Sequence, residues 1–133
     1  MEKITKIAVP AKPRKWVYHL TPSENFSSIQ ENGLIPYIKS GKFGYLSIEA
    51  YDGRKKIFLL PNLHGKGMKS FLKEWWHGDI QDIIILRVPF ESIENPLSSP
   101  DPYYANQEIW THYKIDRRTI QFTFFNERKW KNL

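Results

Sequence analysis

The alternation of apolar and polar positions divides the chain into short elements. Trp16 to Leu20, WVYHL, is aromatic and β-branched and predicts a strand. Thr21, Pro22 and Glu24 then form a capping box at the start of a helix, in which hydroxyl and carboxylate each satisfy an orphan N–H. Phe26 and Ile29 give that helix a short apolar face. Gly33 ends it in the left-handed conformation, and Leu34 folds back on the face. Ile35-Pro36-Tyr37 leaves the helix extended, 39–44 is a basic loop, and Tyr45 to Ile48 is a short strand.

Lys56 to Leu60 predicts a further strand, closed by Pro61. From about Lys66 to His77, Met68, Phe71, Leu72, Trp75 and Trp76 recur at the spacing of a core-facing helix, ended by Gly78. Asp82 to Val88 is a continuous β-branched run and predicts a buried strand. Glu91-Ser92-Ile93 predicts a helical turn, and Asn95 to Pro102 reads as a loop by composition. In Glu108 to Tyr113, a period of two puts Glu108, Trp110 and His112 on one face and Ile109, Thr111 and Tyr113 on the other. In Thr119 to Phe125, Ile120, Phe122 and Phe124 point inward, and Thr119, Gln121 and Thr123 outward.

The 133 residues, 41% hydrophobic and 15% aromatic, suit one folded α+β domain over 1–133. Prolines and basic clusters mark 1–14 and 126–133 as loosely held arms. A net charge of +6 favours a polyanionic partner, nucleic acid first; the plain alternative is a basic surface that serves solubility. No apolar run approaches the roughly 18 residues of a membrane span. The first residues lack the apolar segment of a signal peptide, so a cytoplasmic protein is expected.

The absence of cysteine excludes disulfides, thiolate metal sites and a cysteine nucleophile. His19, His64, His77 and His112 show no HxH or HExxH spacing, so no metal site is expected. There is no GxSxG elbow, and GKFG lacks the spacing and the Lys-Ser/Thr ending of a P-loop. What remains is His19, at a strand end beside a helix N-terminus, a junction suited to a ligand with phosphates.

Three blocks resemble the ADP-ribosyltransferase superfamily in its diphtheria-toxin-like branch, which includes the poly(ADP-ribose) polymerases, the RNA 2′-phosphotransferases and the DarT-type toxins. Tyr18-His19-Leu20-Thr21, with Ile29 and Asn32-Gly33-Leu34, is similar to the family's "YHGT…I…GL" opening. Lys56 to Leu60 before a helix is similar to its "GIYFA" or "HVHLS" block. Gln107-Glu108-Ile109-Trp110, with Ile115 and Ile120, is similar to its third block, a glutamate entering a strand. Phe58 stands where the family often has Tyr, and Leu20 stands where it has Gly.

The resemblance implies a split β-sandwich of mostly antiparallel strands with flanking helices, holding NAD⁺ as substrate without metal. It implies transfer of ADP-ribose to a nucleic-acid or protein acceptor. It gives Glu108 the catalytic role, and gives His19, Thr21, Tyr45 and Phe58 the binding of NAD⁺. The rival readings are an RNA 2′-phosphotransferase and a non-catalytic nucleic-acid or partner-binding domain on the same fold. For single residues the plain readings are a satisfied strand histidine at 19, a solvent-facing carboxylate at 108 and a core ring at 58.

Overall fold

Among the described residues, the strands pair into two antiparallel four-stranded sheets that do not close into a barrel, with few helices. The computed structural model of the chain describes residues 7–37, 50, 53–63, 72, 82–125, 127 and 129–133. The first sheet has the order β1 (Val9–Pro10), β5 (Leu97–Ser98), β6 (Ile109–Thr111), β3 (Ile57–Leu59). The second has the order β2 (Trp16–Pro22), β4 (Ile83–Pro89), β7 (Gln121–Phe124), β8 (Lys131–Asn132). Helices whose bounds fall among the described residues include α1 (Phe26–Asn32) and α2 (Pro102–Ala105), with 3₁₀ turns at Ser23–Asn25, Phe90–Ser92 and Arg117–Thr119.

β4 lies between β2 and β7, which explains the apolar run from Ile83 to Leu86. Successive side chains leave a strand on opposite faces. Ile84, Leu86 and Val88 enter the main core with Val17 and Phe122 of their own sheet, Ile120 just before β7, and Ile57, Leu59 and Ile109 of the other sheet. Ile83 and Ile85 enter a second cluster with Leu20, against which Tyr18, Leu60, Leu63, Leu72, Phe125 and Trp130 pack. Burying one such aliphatic side chain contributes about 1.5–3 kcal/mol, so a strand apolar on both faces is the natural centre of the sheet.

The start of α1 differs from the sequence expectation. β2 runs on to Pro22, paired with Ile83, so Thr21 belongs to the sheet and caps no helix. A 3₁₀ turn follows, and α1 begins only at Phe26. The Thr21 hydroxyl instead accepts from Asn25 Nδ2 at 3.1 Å. Ladder pairing to a strand more than sixty positions away outweighs the local capping box. Gly33 has φ +72° and ψ −158°, a conformation essentially confined to glycine but not the left-handed helical one expected. Its N–H still closes the helix on Ile29 O at 2.8 Å. Leu34 is buried with Ile29 in the main core and bridges to Ile115.

Both expected arms carry ordered pairing. Val9 and Pro10 pair with Ser98 and Leu97, inside the stretch read as a loop, and Ala11 is buried. Lys131 and Asn132 pair with Phe122 and Gln121. Beside them the Arg87 guanidinium lies between two indoles, 4.0 Å from the Trp16 ring and 4.4 Å from that of Trp130. Its Nε donates to Gln121 Oε1 at 2.8 Å, and burial lowers its pKa. Thr123, read as outward, is buried, because its face of β7 is shared with Ile85 and covered by the second cluster. The helix expected at 66–77 lies outside the described residues except Leu72, as do the loop at 39–44 and the strand at 45–48. No helix among the described residues is long and apolar enough to cross a membrane.

Candidate active site

The two sheets meet where β2 and β3 run side by side for one residue each. Tyr18 N–H donates to Leu60 O at 3.0 Å, and Leu60 N–H returns a bond to Tyr18 O at 2.7 Å. Continued antiparallel pairing would match Leu20 with Phe58, because groups two residues along point the same way. The strands part instead: β2 continues along β4, and β3 along β6. The Phe58 carbonyl, turned toward the gap, is met by the His19 ring, with Nδ1 2.7 Å from the oxygen. A carbonyl only accepts, so Nδ1 carries the proton, and in the neutral ring Nε2 is an acceptor. An imidazole thus spans the break between the sheets where a backbone ladder would otherwise run.

Phe58 and Trp110 are cross-strand partners on β3 and β6, with ring centroids 6.5 Å apart. Their neighbours Ile57, Leu59 and Ile109 face the main core. Glu108 lies two positions before Trp110 and so projects on the same side as Phe58 and Trp110. Its register places it beside Leu60, next to the bridge that joins the sheets. Glu108 is 3% exposed, which sets aside the solvent-facing reading.

The approach to Glu108 is tightly tied. The Asp101 carboxylate accepts from Tyr103 N–H at 2.9 Å and caps α2, whose first residue is Pro102. Tyr104 O accepts from both Gln107 N–H at 2.9 Å and Glu108 N–H at 3.0 Å. The Gln107 side chain donates to Tyr103 O at 3.0 Å. These bonds fix where the chain leaves α2 and enters β6, and so fix the Glu108 Cα. An aspartate before a proline is a helix-start signal, legible inside the stretch assigned to loop.

Of the five residues expected at the site, His19 and Phe58 are in contact, and Phe58 and Glu108 share one face of adjacent strands. His19 reaches that pair through the Phe58 backbone. Phe58 is half-buried, so its ring is not simply core. Thr21 is buried and occupied with Asn25. Tyr45 lies outside the described residues. Two residues not singled out for the site belong to its surroundings. Trp110 is fully buried beside Phe58, and the alternation of EIWTHY already placed it on the Glu108 face. Lys56 is also fully buried, with Nζ donating to Ala50 O at 3.0 Å and Arg54 O at 2.9 Å. Nothing in the sequence marks that lysine.

At the far end of β6, an open hollow of about 300 Å³ is lined by Glu31, Asn32, Lys114, Asp116, Arg117 and Arg118. The Asp116 carboxylate accepts from Arg118 Nη2 at 2.8 Å and from Arg118 N–H at 2.8 Å. Those bonds hold its carboxyl well below the usual range. Among the described residues, no group of three or more His, Cys, Asp or Glu side chains is arranged to hold a metal ion. No protein-family model, curated protein or solved structure matches the chain.

Proposed function

We propose that this chain is an NAD⁺-dependent ADP-ribosyltransferase built on a split β-sandwich of that superfamily's type. One observation carries the reading. The buried Glu108 carboxylate shares a sheet face with the Phe58 ring, beside the Tyr18–Leu60 bridge that joins the His19 strand to the Phe58 strand. The resemblance in the sequence implies that those three residues line one pocket.

The chemistry asks for what these side chains can supply. The bond from the ribose C1′ to the nicotinamide nitrogen breaks, its electron pair leaves with nicotinamide, and positive charge develops at C1′. A carboxylate withdrawn from water stabilises that charge and accepts a hydrogen bond from the ribose 2′-hydroxyl. One such group is worth on the order of 10²–10³ in rate. The Phe58 ring offers an apolar face to nicotinamide, without the phenol hydrogen bond a tyrosine would add. His19, with its Nδ1 proton held by Phe58 O, stands at the strand end where the resemblance implies contact with the adenosine ribose. An acceptor nucleophile then bonds to C1′ and gives up its proton.

Lys114, Arg117 and Arg118 around the hollow past β6, together with the net charge of +6, favour a polyanionic acceptor such as a nucleic acid. The test is release of free nicotinamide from NAD⁺ by the purified protein, with and without an oligonucleotide. Release should occur, and Glu108→Gln should lower it on the order of 10²–10³-fold while the thermal melt persists. Equal release by Glu108→Gln would remove the carboxylate from its assigned role.

A further inference from the structure

Tyr18, Arg87, Gln121 and Asn132 are successive cross-strand partners on β2, β4, β7 and β8, so they form one row across the second sheet. Leu86 and Val88 face the main core, so the row lies on the other face, one step past Ile85 and the second cluster. Its members are half-buried or exposed. The hydrogen bonds along it run one way. A guanidinium can only donate, so Gln121 turns its oxygen to Arg87 Nε, at 2.8 Å. That leaves the Gln121 amide NH₂ to donate to Asn132 Oδ1, at 3.2 Å. The amide oxygens are thus taken up inside the row, and both of its ends are donors: the Arg87 Nη groups and Asn132 Nδ2. Among the described residues neither end has a hydrogen-bond acceptor. The Arg87 Nη groups are not buried, and Asn132 is exposed.

The rings hold this row in place. The Arg87 guanidinium carbon lies 4.0 Å from the Trp16 ring and 4.4 Å from that of Trp130, which in turn contacts Tyr18. A guanidinium stacked on rings and tied through Nε has already lost its rotamer freedom, so little more is lost when its outer N–H groups engage a ligand. Their fork matches the oxygens of a phosphate. Exposed Lys15 and Lys129 adjoin Trp16 and Trp130 in sequence, and the net charge is +6. Such a balance suits an extended polyanion better than an isolated anion. We propose that this face binds the phosphodiester backbone of nucleic acid, with the Arg87 Nη groups and Asn132 Nδ2 donating to its phosphate oxygens. The assignment stands apart from the ADP-ribosyltransferase reading, because it calls on neither NAD⁺ nor Glu108. It also lies apart from the hollow past β6.

Fluorescence anisotropy of a short labelled single strand, titrated with the full chain in the absence of NAD⁺, tests the proposal. Asn132→Asp keeps an oxygen for Gln121 and turns the outer donor into an anion, so the row and the melting temperature should persist. Its Kd should be weaker by about 3- to 10-fold, the loss of about one hydrogen bond. The slope of log Kd against log salt should fall by about 0.7, the contribution of one phosphate contact on a single strand. Asn106→Asp makes the same charge change at the exposed end of α2 and should leave the Kd unchanged. Arg87→Lys should weaken binding with the salt slope kept, because the charge remains and the fork is lost. An unchanged Kd in Asn132→Asp overturns the assignment, and so do equal losses in Asn132→Asp and Asn106→Asp, which would leave net charge as the cause. Polyglutamate that competes as well as unlabelled strand would make the face a general anion surface and overturn it too. No binding by the wild-type chain overturns it outright, while release of nicotinamide from NAD⁺ is decided separately.

Discussion

The His19 imidazole donates through Nδ1 to the carbonyl of Phe58 across the break between the two sheets, at 2.7 Å. Replacing His19 by Ala removes that donor. It should lower unfolding free energy by about 1 kcal/mol, more where the carbonyl is left without a partner. Nicotinamide release should fall with it. A urea titration beside the nicotinamide assay separates the two effects. His19→Asn keeps an N–H donor without the ring, so stability should recover more than activity. Unchanged stability in His19→Ala would mean that the bond does not hold the strands.

Gly33 and Gly53 share a positive φ, +72° and +73°, but not their surroundings. A Cβ on Gly33 would stand 2.3 Å from Ile115 O and 2.9 Å from Arg117 N–H, both backbone atoms. A Cβ on Gly53 would meet nothing within 4 Å. Gly53→Ala should therefore cost only the conformational strain, about 1–2 kcal/mol. Gly33→Ala must also push the α1 end away from the Ile115 segment, breaking the Leu34–Ile115 bridge. Its loss in chemical denaturation should exceed that of Gly53→Ala, and equal losses would contradict the close packing.

The stacked guanidinium between Trp16 and Trp130 makes the chain end a part of the second sheet. Arg87→Lys keeps the charge but cannot lie flat between two rings. It should cost about 1–2 kcal/mol and expose both indoles, visible as a red shift in tryptophan emission. Trp130→Ala should cost at least as much, since the ring also contacts Tyr18 at 6.2 Å between centroids. An end that is merely frayed would leave both measurements unmoved.

Asp116 gives a pH-dependent test with a defined sign. The Arg118 side chain, and next the Arg118 backbone N–H, hold its carboxyl well below the ordinary carboxylate range. A depressed folded-state pKa stabilises the fold above the unfolded value, about 3.9, and the stabilisation is lost as pH falls toward the depressed value. Asparagine can still cap the 3₁₀ turn but carries no charge. Wild type should therefore melt above Asp116→Asn near neutral pH, and the gap should close below about pH 4. A gap independent of pH would show that the charge is not involved.

Much of this architecture is legible from residues whose neighbours in sequence decide their role. The run from Ile83 to Leu86 is apolar on both faces, as a central strand requires. The alternation from Glu108 to His112 puts Glu108 and Trp110 on one side before any coordinates exist. Thr21 is different. Its local signal favours a helix cap, and only Ile84, far along the chain, supplies the ladder that holds it in β2. Val9–Pro10, Leu97–Ser98 and Lys131–Asn132 are two-residue strands, too short to leave a periodic trace, and take their order wholly from their partners. The burial of Lys56 and Glu108 is equally a property of the assembled fold, since no local pattern tells a covered charge from a solvated one.

Those short strands have a further effect. Each sheet finishes, on its outer side, in a strand of only two residues: β1, where Pro10 has no N–H to offer, and β8, where Lys131 carries a charge. Neither presents a row of backbone groups long enough for another molecule to pair with. At the opposite edges, β2 and β3 meet each other at the Tyr18–Leu60 bridge. Among the described residues, the two outer edges therefore offer little for strand addition, and the opposite edges of the two sheets are tied to each other rather than left facing outward.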